Sequence, residues 1–142
     1  MKKWIIIVLV VLFFSILFFI WRIDEQYLGE DYYYLPKYEA IDIGYPGGAV
    51  IYKSKQKNVF SDVKIHADVI SVNNNKEFII ALQKIDSTNI EKTNPNILDK
   101  DSLLYFIIVK KSDLVYGPFS KMEYLKKREE LKISKKLVFK KE

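Results

Sequence analysis

The chain has no cysteine. Disulfide scaffolds, thiolate zinc sites, cysteine nucleophiles and a lipid-modified N-terminal cysteine are thereby excluded. A domain with a sufficient core needs no bridge, so the redox compartment stays open. Histidine occurs once, at position 66, and tryptophan does not recur beyond Trp21. The first 22 positions carry Lys2, Lys3 and Arg22 but no acid. From residue 23 to residue 120 there are 11 basic and 14 acidic side chains, and from Lys121 to Glu142 there are 9 basic and 4 acidic. The formal net charge of +5 therefore belongs to the two ends, and the body between them is mildly acidic. A nucleic-acid-binding domain carries its positive charge as a patch on the folded body, interleaved with aromatics. No nucleic-acid partner is expected here. Internal repeats and low-complexity tracts are also lacking.

What is present begins with one long apolar run. Trp4 to Trp21 is 18 residues in which Ser15 alone is polar. As a helix it would span about 27 Å, enough for the hydrocarbon core, with a tryptophan for each interface. A signal peptidase needs small residues at the end of such a run, yet this one closes on Phe18-Phe19-Ile20-Trp21-Arg22. Residues 1–22 are therefore expected to be an uncleaved signal anchor, a single transmembrane helix. Lys2 and Lys3 favour a cytoplasmic N-terminus and an extracytoplasmic remainder. Residues 23–142 suffice for one domain with one modest core.

Within that domain the pattern is mostly β. Tyr32 to Leu35 stops at Pro36, and Tyr38 to Ile43 alternates as a strand would. Ala49 to Lys53 resumes after Gly44-Tyr45-Pro46-Gly47-Gly48, where Pro46-Gly47 predicts a type II turn with positive φ at Gly47. Val63 to Val69 alternates, Asn73-Asn74-Asn75 marks a turn, and Glu77 to Ile85 reads as a central strand. Ser87 to Ser102 is polar and reads as a long surface loop. Leu103 to Val109 is a buried strand, Ser112-Asp113 a turn, and Leu114 to Tyr116 a short return strand. Ser120 and Glu123 have capping-box spacing, which predicts a helix from Lys121 to about Leu131. Its apolar residues form no single stripe, which implies cover on more than one side. Lys132 to Glu142 reads as a frayed helix or a late edge strand.

Two stretches carry a resemblance. Tyr38-Glu-Ala-Ile-Asp-Ile-Gly-Tyr-Pro-Gly-Gly-Ala-Val-Ile-Tyr-Lys-Ser54 and Val115-Tyr-Gly-Pro-Phe-Ser-Lys-Met-Glu-Tyr-Leu125 resemble a family of small bacterial envelope proteins of unknown function. The likeness covers about residues 24 to 133. It implies an anchored, extracytoplasmic α+β domain and brings no activity or site. Some such proteins are lipoproteins, for which this chain lacks the cysteine. Gly117-Pro118-Phe119-Ser120 also resembles a short piece of the GYF domain, which binds proline-rich peptides. The Gly-Tyr-Phe triplet that names that domain is missing.

The residues suggest no catalytic, cofactor or metal set. His66 lies between Lys64 and Asp68 in a polar row, with no nucleophile or orienting group evident. Asp24, Glu25, Glu30 and Asp31 lack the spacing of a calcium loop. Gly44, Gly47 and Gly48 precede no Lys-Ser/Thr pair, so a turn is the reading rather than a phosphate loop. Tyr27, Tyr32, Tyr33, Tyr34 and Tyr45 offer area with a polar tip, as an interaction surface does, or pack as alternate residues of a sheet. Lys135, Lys136, Lys140 and Lys141 are candidate contacts to an anionic surface, or a solvated tail.

The sequence thus predicts an α+β protein, a small antiparallel sheet with one C-terminal helix, preceded by a single transmembrane helix. Its expected role is that of a single-pass, membrane-anchored accessory or interaction protein of the envelope, with another envelope protein as partner. An immunity or inhibitor protein acting on a toxin or enzyme at the membrane is the alternative, and an enzyme of unrecognised type the third. No cofactor is expected.

Overall fold

The computed structural model describes residues 26–85 and 103–139. The elements run β1 (Tyr27–Gly29), β2 (Tyr32–Leu35), α1 (Lys37–Asp42), β3 (Val50–Lys53), β4 (Val63–Ile65), β5 (Val69–Asn74), β6 (Phe78–Lys84), β7 (Leu103–Val109), a 3-10 turn (Lys110–Ser112), β8 (Leu114–Phe119) and α2 (Lys121–Glu130). They form two four-stranded sheets, ordered β1-β2-β3-β4 and β5-β6-β7-β8. Every strand pair is antiparallel. Each sheet is a meander of consecutive strands, and residues 66–68 carry the chain from the first to the second.

Period-2 alternation gives each sheet two faces, and both faces are covered. Leu28, Tyr32, Ile51 and Ile65 of the first sheet meet Val69, Ile79, Ala81 and Ile108 of the second in one core between the sheets. The opposite face of the first sheet presents Leu35, Val50 and Tyr52, which pack under Ala40 of α1. The opposite face of the second presents Ile80 and Ile107, which pack under Tyr124 of α2 and under Ile133 and Leu137 beyond it. The order through the molecule is α1, sheet, sheet, α2. This layering explains the unbroken apolar runs of β6 and β7, because a strand covered on both sides has no face left for water.

The expectation of a single small sheet is thus overturned, for a physical reason. Val63 to Val69 alternates as one strand would, but the chain breaks at His66–Asp68. There Gln83 Nε2 donates to the carbonyls of His66 (2.8 Å) and Ala67 (2.9 Å), and Val69 N donates to Ala49 O (2.9 Å). The two ends of the run then serve different sheets. The expected strand Tyr38–Ile43 is also corrected to a helix, α1. The helix stops in a Schellman motif: Gly44 N donates to Ile41 O (3.1 Å), Tyr45 N donates to Ala40 O (2.8 Å), and Gly44 takes φ +70°. Positive φ thus falls on Gly44 and Gly48, not on Gly47 as the turn reading required.

The C-terminal helix starts where its capping box puts it. Ser120 Oγ accepts from Glu123 N (3.4 Å), and Glu123 Oε2 accepts from Ser120 N (2.8 Å). The Asn73–Asn75 turn also forms, with Asn75 Oδ1 accepting from Glu77 N (2.9 Å) and Phe78 N (2.8 Å). The spanning helix expected ahead of the sheet finds no support, because among the described residues no helix is long and apolar enough to cross a membrane. Trp4–Trp21 itself lies outside the described residues, as does the expected loop Ser87–Ser102.

Candidate functional site

The tyrosines of β2 are parted by strand geometry. Tyr32 and Tyr34 turn into the core between the sheets, and Tyr34 Oη donates to Val69 O (3.2 Å). Tyr33 turns to the outer face, where rings form a continuous row. Tyr27 lies 5.1 Å from Tyr33, Tyr33 stacks on Tyr52 at 5.4 Å, Tyr52 meets Phe60 at 4.7 Å, and Phe60 meets Tyr45 at 4.4 Å. Three of the five candidate tyrosines therefore come together. The links Tyr52 and Phe60 were missed, although the position of Tyr52 in the alternation of β3 was a usable signal.

Against the inner part of this row lies α1. Ala40 is fully buried there, since only a small side chain allows the short helix to sit close to the sheet. Glu39 holds both flanks, accepting from Gln26 Nε2 and pairing with Lys57 (3.5 Å). The remaining apolar residues of the helix and its C-cap face water: Tyr38 is 67% exposed, Ile41 70% and the capping Ile43 43%.

A second cluster joins the sheets at the β7–β8 turn. Asp113, in the left-handed region at φ +56°, accepts from Tyr32 Oη. It also pairs with Lys64 (3.0 Å) and Lys53 (3.3 Å), and Lys64 reaches Asp62 (2.8 Å). Burial pushes the Asp113 carboxyl up, but the hydrogen bonds from Tyr32, Lys64 and Lys53 outweigh it and hold the group below the usual carboxylate range. Burial, and then the bond to Asp113, push the Tyr32 phenol up. Three residues earlier, Lys110 is 4% exposed and donates to Leu28 O, to Asn75 O (2.6 Å) and to Asn74 Oδ1 (3.4 Å). Burial lowers its pKa, against the pull of Glu30. Lys110 is enclosed by protein, while Asp113 and Asp62 keep part of their carboxylates in solvent at the surface end of the cluster. Their arrangement fastens one sheet to the other.

Beyond α2 lies an open groove of about 610 Å³, lined by Leu125, Arg128, Glu129, Lys132, Lys135 and Val138 among others. Arg128 is committed to its wall, donating to Leu137 O (2.7 Å), Ser134 O (2.9 Å) and Tyr124 Oη (3.1 Å). Leu125 and Val138 are exposed, as is Met122 nearby on the same helix. Of the four candidate lysines, Lys135 lines this groove, Lys136 is exposed, and Lys140 and Lys141 lie outside the described residues. His66 is exposed in the link between the sheets. Among the described residues no group of acidic or histidine side chains is arranged to hold a metal ion.

The family described as a protein of unknown function, DUF3997, matches residues 31–142. The chain belongs to this family. The DUF3997 match takes in every element from β2 to α2, so it covers the second sheet, both helices and all of the first sheet except β1. It carries neither an envelope location nor a likeness to the GYF domain. No curated protein and no solved structure matches the chain.

Proposed function

We propose that the chain is a membrane-held accessory protein of the bacterial envelope that acts by binding another envelope protein and catalyses no reaction. The apolar run Trp4–Trp21 is what attaches it, and Lys2 and Lys3 keep the N-terminus cytoplasmic, leaving the domain outside. The observation that carries the binding role is the groove beside α2. It combines exposed Leu125 and Val138 with Lys132 and Lys135, and hydrogen bonds from Arg128 to Leu137 O, Ser134 O and Tyr124 Oη tie its wall together. Exposed apolar side chains rimmed by charge are the make-up of a protein contact. Four ionisable groups with displaced pKa values, Tyr32, Lys64, Lys110 and Asp113, are meanwhile occupied in holding the sheets together, and a fifth, Tyr52, is packed under α1.

The test is photo-crosslinking in intact cells, with a photoreactive residue in place of Leu125 in the full chain. One discrete adduct with an envelope protein is expected. Adding Val138→Glu should abolish it while leaving the melting temperature unchanged, since Val138 is exposed. If the Leu125 position gives no adduct, or Val138→Glu leaves the adduct intact, the groove is not the binding surface.

A further inference from the structure

Two facts about α1 need a common explanation. The first is its outward face. A six-residue helix that buries Ala40 leaves Tyr38, Ile41 and the capping residue Ile43 in water, although Ile41 is 70% exposed and costs solvation free energy there. The second is its position relative to the end of the described chain. Gln26 donates its side-chain amide to Glu39, so this stretch of chain runs along the flank of α1, on the side of the helix turned away from Ile41. The five links between Trp21 and Gln26 reach at most about 18 Å. An apolar run that closes at Trp21 is thus tethered within that reach of Gln26, which is itself bonded to α1.

From these we infer that the outer face of α1 rests on the lipid bilayer, with Tyr38, Ile41 and Ile43 entering the interface. The inference rests on the membrane-held reading above and adds an orientation to it. Side chains of this kind suit that depth: tyrosine sits with its ring among acyl ends and its hydroxyl among headgroups, and isoleucine lies below it. Lys37, which pairs with Asp68 (3.6 Å), and Lys57, which pairs with Glu39 (3.5 Å), are the cations nearest this face, and they attract anionic headgroups in competition with those acids. Asp42 is the exposed acid on the helix and weakens that attraction. The layer order then fixes the rest of the molecule. With α1 on the lipid, the two sheets stand between membrane and α2, and the groove of Leu125 and Val138 opens away from the bilayer towards a partner. Lys135 and Lys136 lie on that far side, so they do not touch the same leaflet.

The absence of native cysteine makes a direct test available. The full chain carrying Ile41→Cys or Met122→Cys is labelled with an environment-sensitive fluorophore and reconstituted into vesicles of phosphatidylethanolamine and phosphatidylglycerol. Some vesicles carry a nitroxide quencher attached near the headgroup. The label at position 41 should lose roughly half its emission in quencher vesicles, as a probe at interfacial depth does, while the label at position 122 loses little. A second variant guards against perturbation by the label itself. With the fluorophore at Ile43→Cys, adding Tyr38→Asp should reduce the quenching without altering the melting temperature. Protein that floats with the vesicles yet shows no quenching at positions 41 and 43 overturns the orientation and spares the attachment. Quenching at 122 in place of 41 also overturns it, because α2 would then be the seat. Protein that fails to float at all sinks the membrane-held reading, and this inference with it.

Discussion

Lys110 shows what a single buried cation does when every proton on it is used. Its ammonium sits in the core with three oxygen partners, two of them main-chain carbonyls, from β1 on one sheet and the β5–β6 turn on the other. Replacing it by methionine keeps most of the volume but strands those carbonyls. Leaving a buried acceptor unpaired costs about 1–3 kcal/mol, so Lys110→Met should lower the free energy of urea unfolding by roughly that amount. Asp113, close by, makes a pH-dependent contribution of known sign. Its folded-state pKa is lowered, so the ionised form favours the fold above the ordinary carboxylate range, and this stabilisation is lost as pH falls through the lowered value. Tyr32 and Lys64 are raised, so their contributions disappear at the alkaline end instead. The stability gap between the parent and Asp113→Asn should therefore be widest near neutrality and narrow as acid is added, as thermal melts across that range will measure.

At the level of elements, α1 and α2 show why one helix was legible and the other was not. The start of α2 is written in two side chains at fixed spacing, Ser120 and Glu123, whose bonds are local and survive any tertiary context. The six residues of α1 satisfy a strand pattern as well as a helical one, and too few turns exist for the period to decide. What selects the helix lies elsewhere: the rings of Tyr52 and Phe60 that Ala40 covers, and Gly44, whose left-handed conformation ends the helix. Gly44 was visible, but as part of a glycine-rich turn it pointed to Gly47 instead. The correction alters why each glycine matters: Gly47 is required by space, since a Cβ there would lie 2.4 Å from the Tyr45 ring, and Gly44 by its backbone. A Cβ at Gly44 meets no atom within 4 Å, so Gly44→Ala carries only the left-handed backbone strain, about 1 kcal/mol. A melting temperature that does not move would mean the Schellman end is not retained. The tyrosine candidates followed the same logic. Alternation on β2 necessarily sends Tyr33 one way and Tyr32 and Tyr34 the other, but sequence alone does not say which way is out.

Across the whole molecule, strands were mostly read and their grouping was not. The runs at Glu77–Ile85, Leu103–Val109 and Leu114–Tyr116 coincide closely with β6, β7 and the start of β8. Whether eight strands make one sheet or two depends on a three-residue break at His66–Asp68, and on covers supplied from far along the chain by Ala40, Tyr124, Ile133 and Leu137. Such covers leave no mark on the strands except that both of their faces turn apolar. The groove beside α2 was equally invisible in advance, because Lys135 was read as tail, whereas Leu137 anchors that tail against the second sheet.

The unbroken succession of the strands, four in one meander and four in the next, also has a consequence in time. Strands adjacent in sequence close smaller loops than the contacts between sheets do, so each sheet assembles from neighbouring partners. Contacts between Lys110 and Leu28 or Asp113 and Tyr32 span 82 and 81 residues and must await the docking of two preformed halves. Interactions absent from the transition state act on the rate of opening and leave the rate of closing alone. Stopped-flow measurements on Lys110→Met should accordingly find a steeper exit from the native state with an unchanged folding limb. A slowed folding limb would mean that the sheets meet before they are complete. The turn that fastens the halves thus governs how long the molecule, once built, stays closed.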